Sequence, residues 1–415
     1  MSDRHGDAPR NKPVRRHTAT IASLLALGVV ATGCTARSGE IAASRTDSGT
    51  PTAASSSDAS SSALSAARVE DNVAAQGVRV DKVVKLTAED GTLDSVVVRA
   101  GQKTLRGSLS ADKTTWTASQ LLEPGTRYRA TAVAVDDEGR ETTKRSSFRT
   151  RDLSLDQQTF PSFAPVSGET VGVGMPAIVR FDVPVSNRAK IEKHLTVTNT
   201  SQQKGAWRWI SDSEVHWRPV RYWKPGTEVT VKADINSVAA GNGVYGQLSR
   251  TSTFRVGRSV ISKVNARTHQ MKTFINGKLV RTTPITTGKP GFTTRSGVKV
   301  IVEKFRQKRM NSETVGIARG SAEAYDINDV EYAMRVTYSG EFLHAAPWSV
   351  GSQGSANVSH GCTGMSTANA GWFYSVSKPG DVVEYTGTDR PMTLDNGYGD
   401  WNASFAEWKK GSALS

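Results

Sequence analysis

The sequence predicts a mainly β protein in which two related β-sandwiches precede a mostly β domain carrying one or two short helices. Three observations lead there. Trp116, Pro124, Gly125 and Thr126 are matched by Trp217, Pro225, Gly226 and Thr227, every pair offset by 101 residues. Each Pro-Gly-Thr opens an alternating apolar/polar run, Arg127 to Val133 in one copy and Glu228 to Ala233 in the other, which is the period of a half-buried strand. Beyond Val256 short alternating runs continue between turn residues, and only Ser366 to Val376 shows helical spacing, with Trp372, Phe373 and Val376 on one face.

Taken from the N-terminus, Arg10, Lys12, Arg15 and Arg16 are followed by an uncharged run from Ile21 to Ala31 and then Thr32, Gly33 and Cys34. A basic segment, a short apolar segment and small residues describe an export signal over residues 1–33. The apolar run is too short to span a bilayer, which takes roughly 20 residues. Cys34 directly after Thr-Gly resembles the lipobox of bacterial lipoproteins, with Ala31 in the place usually held by leucine. The resemblance implies a lipid on Cys34 and a membrane-anchored, extracytoplasmic protein facing the wall; ordinary cleavage or a retained anchor are the alternatives. Residues 34–76 are dominated by Ser, Ala, Thr, Gly and Asp, and are expected to form a disordered tether or a glycosylated stalk.

A period near 100 residues with short strands and Gly/Pro turns fits immunoglobulin-like β-sandwiches, over 77–151 and 152–256. Strands around Phe148 and Phe254 close the two copies. Neither contains cysteine, so each depends on its hydrophobic core, and the first is short enough that a missing strand is expected. As spacers they would hold the last domain away from the membrane; as binding modules they would use their loops. Trp207, Trp209, Trp217 and Trp223 fit core and interdomain packing, or else a sugar-binding face.

The third domain, 257–387, opens with a hairpin. Gln270 to Ile275 and Lys278 to Pro284 flank Asn276-Gly277, the pair that supplies the positive φ values of a type I′ turn. Val298 to Phe305, Met334 to Tyr338 and Asp381 to Tyr385 read as further strands. Ser366 reads as the N-cap of the helix to Val376. An extension, 388–415, should dock through Trp401 and Trp408.

Of the two cysteines, Cys34 sits at the export junction, which leaves Cys362 without a disulfide partner. A free thiol in an exported chain is exposed to oxidation and asks for a reason. Gly361 before it suits a tight turn where N–H groups converge on an oxyanion. His344 lies 18 positions upstream and would act as base, drawing the thiol's pKa down toward neutrality, with the positive end of the following helix assisting. An inert buried thiol beside a satisfied histidine is the alternative.

Ser339, Gly340, Phe342, Leu343, His344, Trp348 and Ser349, followed by Ser359, His360, Gly361 and Cys362, resemble in order and spacing the catalytic domain of the L,D-transpeptidases, the YkuD-type enzymes that cross-link the cell wall. The resemblance implies that Cys362 forms an acyl-enzyme with a peptidoglycan stem peptide, that His344 is the base, and that a second stem collects the acyl group in a 3-3 cross-link. It implies His360 and Gly361 as loop or oxyanion residues, and Tyr325, Ser339, Gly340, Met310, Trp348 and Gly364 as substrate contacts. The polar stretch from Phe305 to Val330 becomes a lid that excludes water, or else an ordinary surface loop. Carbapenem-type β-lactams are the implied inhibitors, and no cofactor is implied. Where some relatives carry serine after the base this chain has Ala345, so a backbone carbonyl must orient the imidazole; Gly364 stands where relatives often carry a polar side chain.

A formal charge of +14 suits a polyanionic wall or membrane face. Export and the lack of a dense Lys/Arg cluster argue against nucleic acid as partner. The rival functions are an L,D-carboxypeptidase that passes the acyl group to water, a zinc hydrolase using His344, His360 and Cys362, for which no spaced ligand motif exists, and a non-enzymatic wall-binding protein.

Overall fold

The computed structural model describes residues 66–415. The expected signal segment, Cys34 and the expected tether through residue 65 lie outside the described residues.

Strands Arg68–Asp71, Lys85–Glu89, Thr115–Ala118 and Gly107–Leu109 form, in that spatial order, one sheet of the first sandwich; Lys103–Thr104, Thr92–Ala100, Arg127–Val135 and Glu141–Arg149 form the other. Alternation turns Tyr128, Ala130, Ala132 and Ala134 inward, and Tyr128 stacks on Phe148 at 5.1 Å between ring centroids. The sandwich begins before Gly77, contrary to the sequence reading. Arg68–Asp71 pairs antiparallel with Lys85–Glu89, and Ala67 and Val69 join the core. This strand is the one a start at 77 would lack. It was hidden because a four-residue edge strand with a single inward side chain, Val69, has no readable periodicity.

The second sandwich pairs the sheet Pro161–Ala164, Ala177–Phe181, Glu214–Pro219, Gly205–Trp209 with the sheet Thr170–Val171, Arg250–Val256, Glu228–Ala233, Leu195–Asn199. Trp207, Trp209, Trp217 and Trp223 are all buried, with Trp217 stacked on Trp223, so they build core and present no sugar-binding face. That core continues into the third domain, which contributes Val300 and Val382 to the same apolar cluster, and into the C-terminal extension, which contributes Tyr398. At the junction the Gly172 and Gly174 N–H groups donate to Pro379 O and Gly380 O, both at 2.8 Å. A Cβ on Gly172 would stand 2.2 Å from the Asp381 nitrogen, so only glycine permits this approach.

The C-terminal extension clamps the junction. Trp408 is fully buried and donates from Nε1 to Ala206 O at 2.9 Å, and Trp401 donates to Gly174 O at 2.8 Å. The Arg218 guanidinium lies 4.8 Å from both indole rings and donates to Ala403 O. Beneath them the buried His216 ring bridges Asp400 (2.9 Å) and Glu214 (2.6 Å); burial is the largest single influence and pulls its pKa down, but the two carboxylates together outweigh it and hold the ring up at about 9.

The third domain has a five-stranded sheet, Lys278–Pro284, Gln270–Ile275, Val260–Asn265, Val382–Thr386, Gly297–Val300, and a four-stranded sheet, Glu303–Asn311, Asp326–Arg335, Phe342–Ala345, Thr363–Met365. Asn276 and Gly277 turn the first hairpin with φ of 49° and 80°. Two expected strands change. Val298 to Phe305 breaks after Val300 because the chain there leaves one sheet for the other, with Ile301 buried at the crossing. The strand expected from Met334 to Tyr338 instead spans Asp326–Arg335, and Val336 already turns back to bond Glu341 O. The helix Thr367–Val376 packs on the four-stranded sheet, capped by Ser366 Oγ accepting from Asn369 N–H.

Candidate active site

Strand pairing brings the thiol and the imidazole together. Phe342–Ala345 runs parallel to Thr363–Met365 with His344 opposite Gly364. Cys362 lies two residues from Gly364, so alternation sets it on the same face as His344. Gly364 is required between them, since a Cβ there would stand 2.9 Å from Thr286 Cγ2 and 3.0 Å from Ala346 Cβ. Both reactive residues line a cavity of about 250 Å³, together with Met310, Tyr325, Trp348, His360 and Gly364.

His344 is buried, and its Nδ1 lies 2.7 Å from Ala345 O. A carbonyl only accepts, so Nδ1 carries the proton and Nε2 keeps its lone pair. Orientation by a backbone carbonyl thus replaces the missing side chain at position 345. Burial pulls the His344 pKa below its usual value, so at neutral pH the ring is the uncharged base. Trp348 stacks against it at 5.9 Å.

The Cys362 thiol donates to Gly340 O at 3.6 Å and is also bonded by the backbone of Phe342. Although part of the residue surface opens to the cavity, protein surrounds the sulfur and this desolvation pushes the thiol up to about 11. The expectation of a thiol lowered toward neutrality is therefore reversed for the resting site, where a neutral thiol faces a neutral imidazole. Nor does the helix dipole help. The strand Thr363–Met365 intervenes, about 10 Å of chain, and a dipole's influence fades within a turn.

The catalytic loop is held from several sides. Gly361 has φ of 121°, donates its N–H to Ser359 Oγ at 3.1 Å, and its carbonyl accepts from Thr294 Oγ1 at 2.8 Å. Its N–H is thus already engaged, which removes Gly361 from the donors expected for an oxyanion. His360 packs between Phe292 and Tyr325, and its Nε2 meets Glu323 Oε2 at 2.7 Å. The same carboxylate accepts from Lys289 Nζ at 2.6 Å, and these two partners, Lys289 foremost, hold it below the usual carboxylate range.

Glu323 belongs to the segment expected as lid or loop. That segment is a β-hairpin, Glu303–Asn311 with Asp326–Arg335, continued by a helical turn at Ser312–Val315, and it brings Met310, Tyr325 and Ile327 over the thiol. Its tip reaches Gly340, where a Cβ would stand 2.3 Å from Val315 Cγ1. Ser339 does not line the cavity. Its N–H donates to Asn396 Oδ1 and its Oγ bonds Thr337 and Asn396, which fixes the turn below the nucleophile and makes Ser339 structural in this state.

Sequence reasoning missed Thr294, Glu323 and a largely buried trio beneath the loop. Lys299 Nζ meets Glu341 Oε2 at 2.5 Å, and Arg295 donates from Nη1 and from its backbone N–H to Glu341 Oε1 at 3.0 and 3.1 Å. A signal was present for one of them: Lys299 interrupts the apolar run Val298 to Val302. Among the described residues, no group of three His, Cys, Asp or Glu side chains is placed to hold a metal ion.

Residues 259–384 match the family model described as L,D-transpeptidase catalytic domain, and residues 75–239 match the one described as bacterial Ig domain. The chain is 36% identical over 341 residues to L,D-transpeptidase 2 of Mycobacterium tuberculosis, covering 82% of this chain and 83% of that protein. It is 30% identical over 340 residues to L,D-transpeptidase 5 of the same organism, covering 80% and 73%. Among solved structures, an L,D-transpeptidase in complex with imipenem is 36% identical with a TM-score of 0.48, over 54% of this chain and 97% of that one.

Proposed function

Because this chain belongs to the L,D-transpeptidase family, we propose that it joins peptidoglycan stem peptides by a two-step acyl transfer through Cys362. His344 Nε2 takes the thiol proton as sulfur attacks the carbonyl of the third, diamino-acid residue. The bond to the terminal D-alanine breaks, its amine leaves with the proton returned by the imidazolium, and a thioester remains. The side-chain amine of a second stem then attacks the thioester, loses a proton to His344 and forms an amide between two third residues, while the thiol regains its proton. The steps balance without cofactor or metal. Backbone N–H groups of His360 and Cys362 serve the oxyanion, each such donor contributing roughly 3 kcal/mol.

The observation that carries this reading is the placement of Cys362 and His344 on one sheet face in one cavity, with the His344 proton fixed on Nδ1. The hairpin above them supports transfer over hydrolysis, since it narrows the path for water. We place the protein outside the cytoplasm, anchored by a lipid on Cys34, with the sandwiches as spacers. Incubating a defined tetrapeptide donor and acceptor with the full chain beside Cys362→Ala tests the proposal by mass spectrometry. Dimers from the wild type alone support it, tripeptides without dimers indicate the carboxypeptidase, and no product leaves a wall-binding protein. A carbapenem adduct on Cys362 is the matching expectation for inhibition.

A further inference from the structure

Beneath the nucleophile one anion faces two cations, Lys299 fully buried and Arg295 partly so. Lys299 is wholly inaccessible to solvent, and its ammonium lies against Glu341 and 3.7 Å from the Tyr385 ring centroid. Glu341 needs no second cation for neutrality, because Arg295 already supplies a guanidinium and a backbone N–H. A buried ammonium is costly, and an aliphatic side chain would fill the strand at less expense. The trio also adjoins the reactive loop: a Cβ built on Gly361 would stand 3.6 Å from Glu341 Cγ. Glu341 itself separates Gly340, whose carbonyl accepts from the sulfur, from Phe342, whose backbone also bonds it.

We propose that Lys299 is a positioning residue of the acyl-transfer reaction: through Glu341 it fixes the segment 340–342 that holds the sulfur, and its ammonium supplies buried positive charge as the thiolate forms. This rests on the reading of Cys362 as nucleophile. The groups facing Lys299 are Glu341, Arg295 and Tyr385, whose hydroxyl bonds Thr363, with the thiol beyond them. Those facing the thiol from the cavity are His344, His360 and Tyr325, with Glu323 and Lys289 behind. Burial draws Lys299 down to about 8, so its charge is present at pH 7 and disappears as pH rises through 8.

The test is alkylation of Cys362 by iodoacetamide in the full chain, followed by peptide mass spectrometry that separates Cys362 from Cys34, from pH 6 to 10. Loss of the nearby cation raises the thiol's pKa; one unit means tenfold less thiolate, partly offset by greater nucleophilicity, so about threefold in rate. Wild type should react about threefold faster than Lys299→Met below pH 8, and the ratio should fall toward one above it. A ratio that stays constant across pH in a folded Lys299→Met, at unity or elsewhere, overturns the proposal. Glu341→Gln, nearly isosteric, keeps the question open to test if Lys299→Met does not fold. It withdraws the partner that keeps the ammonium charged, so the break should move to lower pH, and a break left at 8 overturns the proposal. Alkylation needs no stem peptide, so its failure beside a normal carbapenem adduct sinks this inference alone, whereas normal alkylation without an adduct sinks the acyl-transfer reading instead.

Discussion

Replacing His344 by alanine measures how far this enzyme depends on its imidazole, because the resting thiol is so reluctant to ionise. With the thiol pushed up to about 11, free thiolate at pH 7 is roughly one molecule in ten thousand, a cost of about 5 kcal/mol at 1.36 kcal/mol per unit. The wild type escapes this cost by passing the proton to Nε2 as sulfur attacks. A positioned base typically contributes 10²–10⁴ in rate, so carbapenem acylation of His344→Ala should slow by about that factor. The pH dependence is the sharper reading. Since burial depresses His344, its basic form persists throughout pH 7–10, and wild-type acylation should be nearly flat there apart from the small step assigned to Lys299. It should fall only below the usual imidazole range, as the ring takes a proton. In His344→Ala only free thiolate reacts, so the rate should climb about tenfold per pH unit across the same range. Stopped-flow acylation with adduct identification by mass spectrometry gives both profiles. A variant within about threefold of wild type, or one sharing its flat profile, would refute the assignment of the base.

Three further outcomes are expected. Trp408→Ala removes a fully buried indole and its bond to Ala206 O, and should lower unfolding free energy by about 3–5 kcal/mol in a denaturant titration. Glu323→Gln removes the anion shared by Lys289 and His360; as an exposed pairing it should cost little stability, yet raise the tripeptide-to-dimer ratio by freeing the hairpin. His216 has its folded pKa raised to about 9, so its contribution to stability is complete below about 6.5 and is lost as pH rises through 9. The stability difference between wild type and His216→Gln, followed by calorimetry, should therefore shrink over that window.

Much of the architecture was legible because period and punctuation carry it. The 101-residue offset marks equivalent strands of two sandwiches, Asn276-Gly277 turns its hairpin, and Ser366 caps the helix. What escaped were features without local signature. Arg68–Asp71 exposes too few inward residues to show alternation, and the break after Val300 comes from a change of sheet, which is a tertiary event. At the site, His344 and Cys362 were visible as residue types, but the pKa of the thiol was misjudged because desolvation depends on the surrounding packing. Glu323 reaches His360 across 37 positions, and Glu341 reaches Lys299 across 42; pairings of that separation leave no mark on either neighbourhood.

The apolar cluster shared across the junction at Val300 and Val382 means that the two halves recognised as separate families are not interchangeable cassettes. A chain cut to begin at residue 257 would strip Trp401 and Trp408 of their seat, bare the flank of Val300, Val382 and Tyr398, and leave Gly172 and Gly174 with no counterpart. Such a fragment should associate with itself or precipitate unless the preceding sandwich travels with it. Head and second sandwich should therefore turn as one rigid lever, and any bend that lets the nucleophile sweep from one substrate to the next must be sought on the N-terminal side of residue 152.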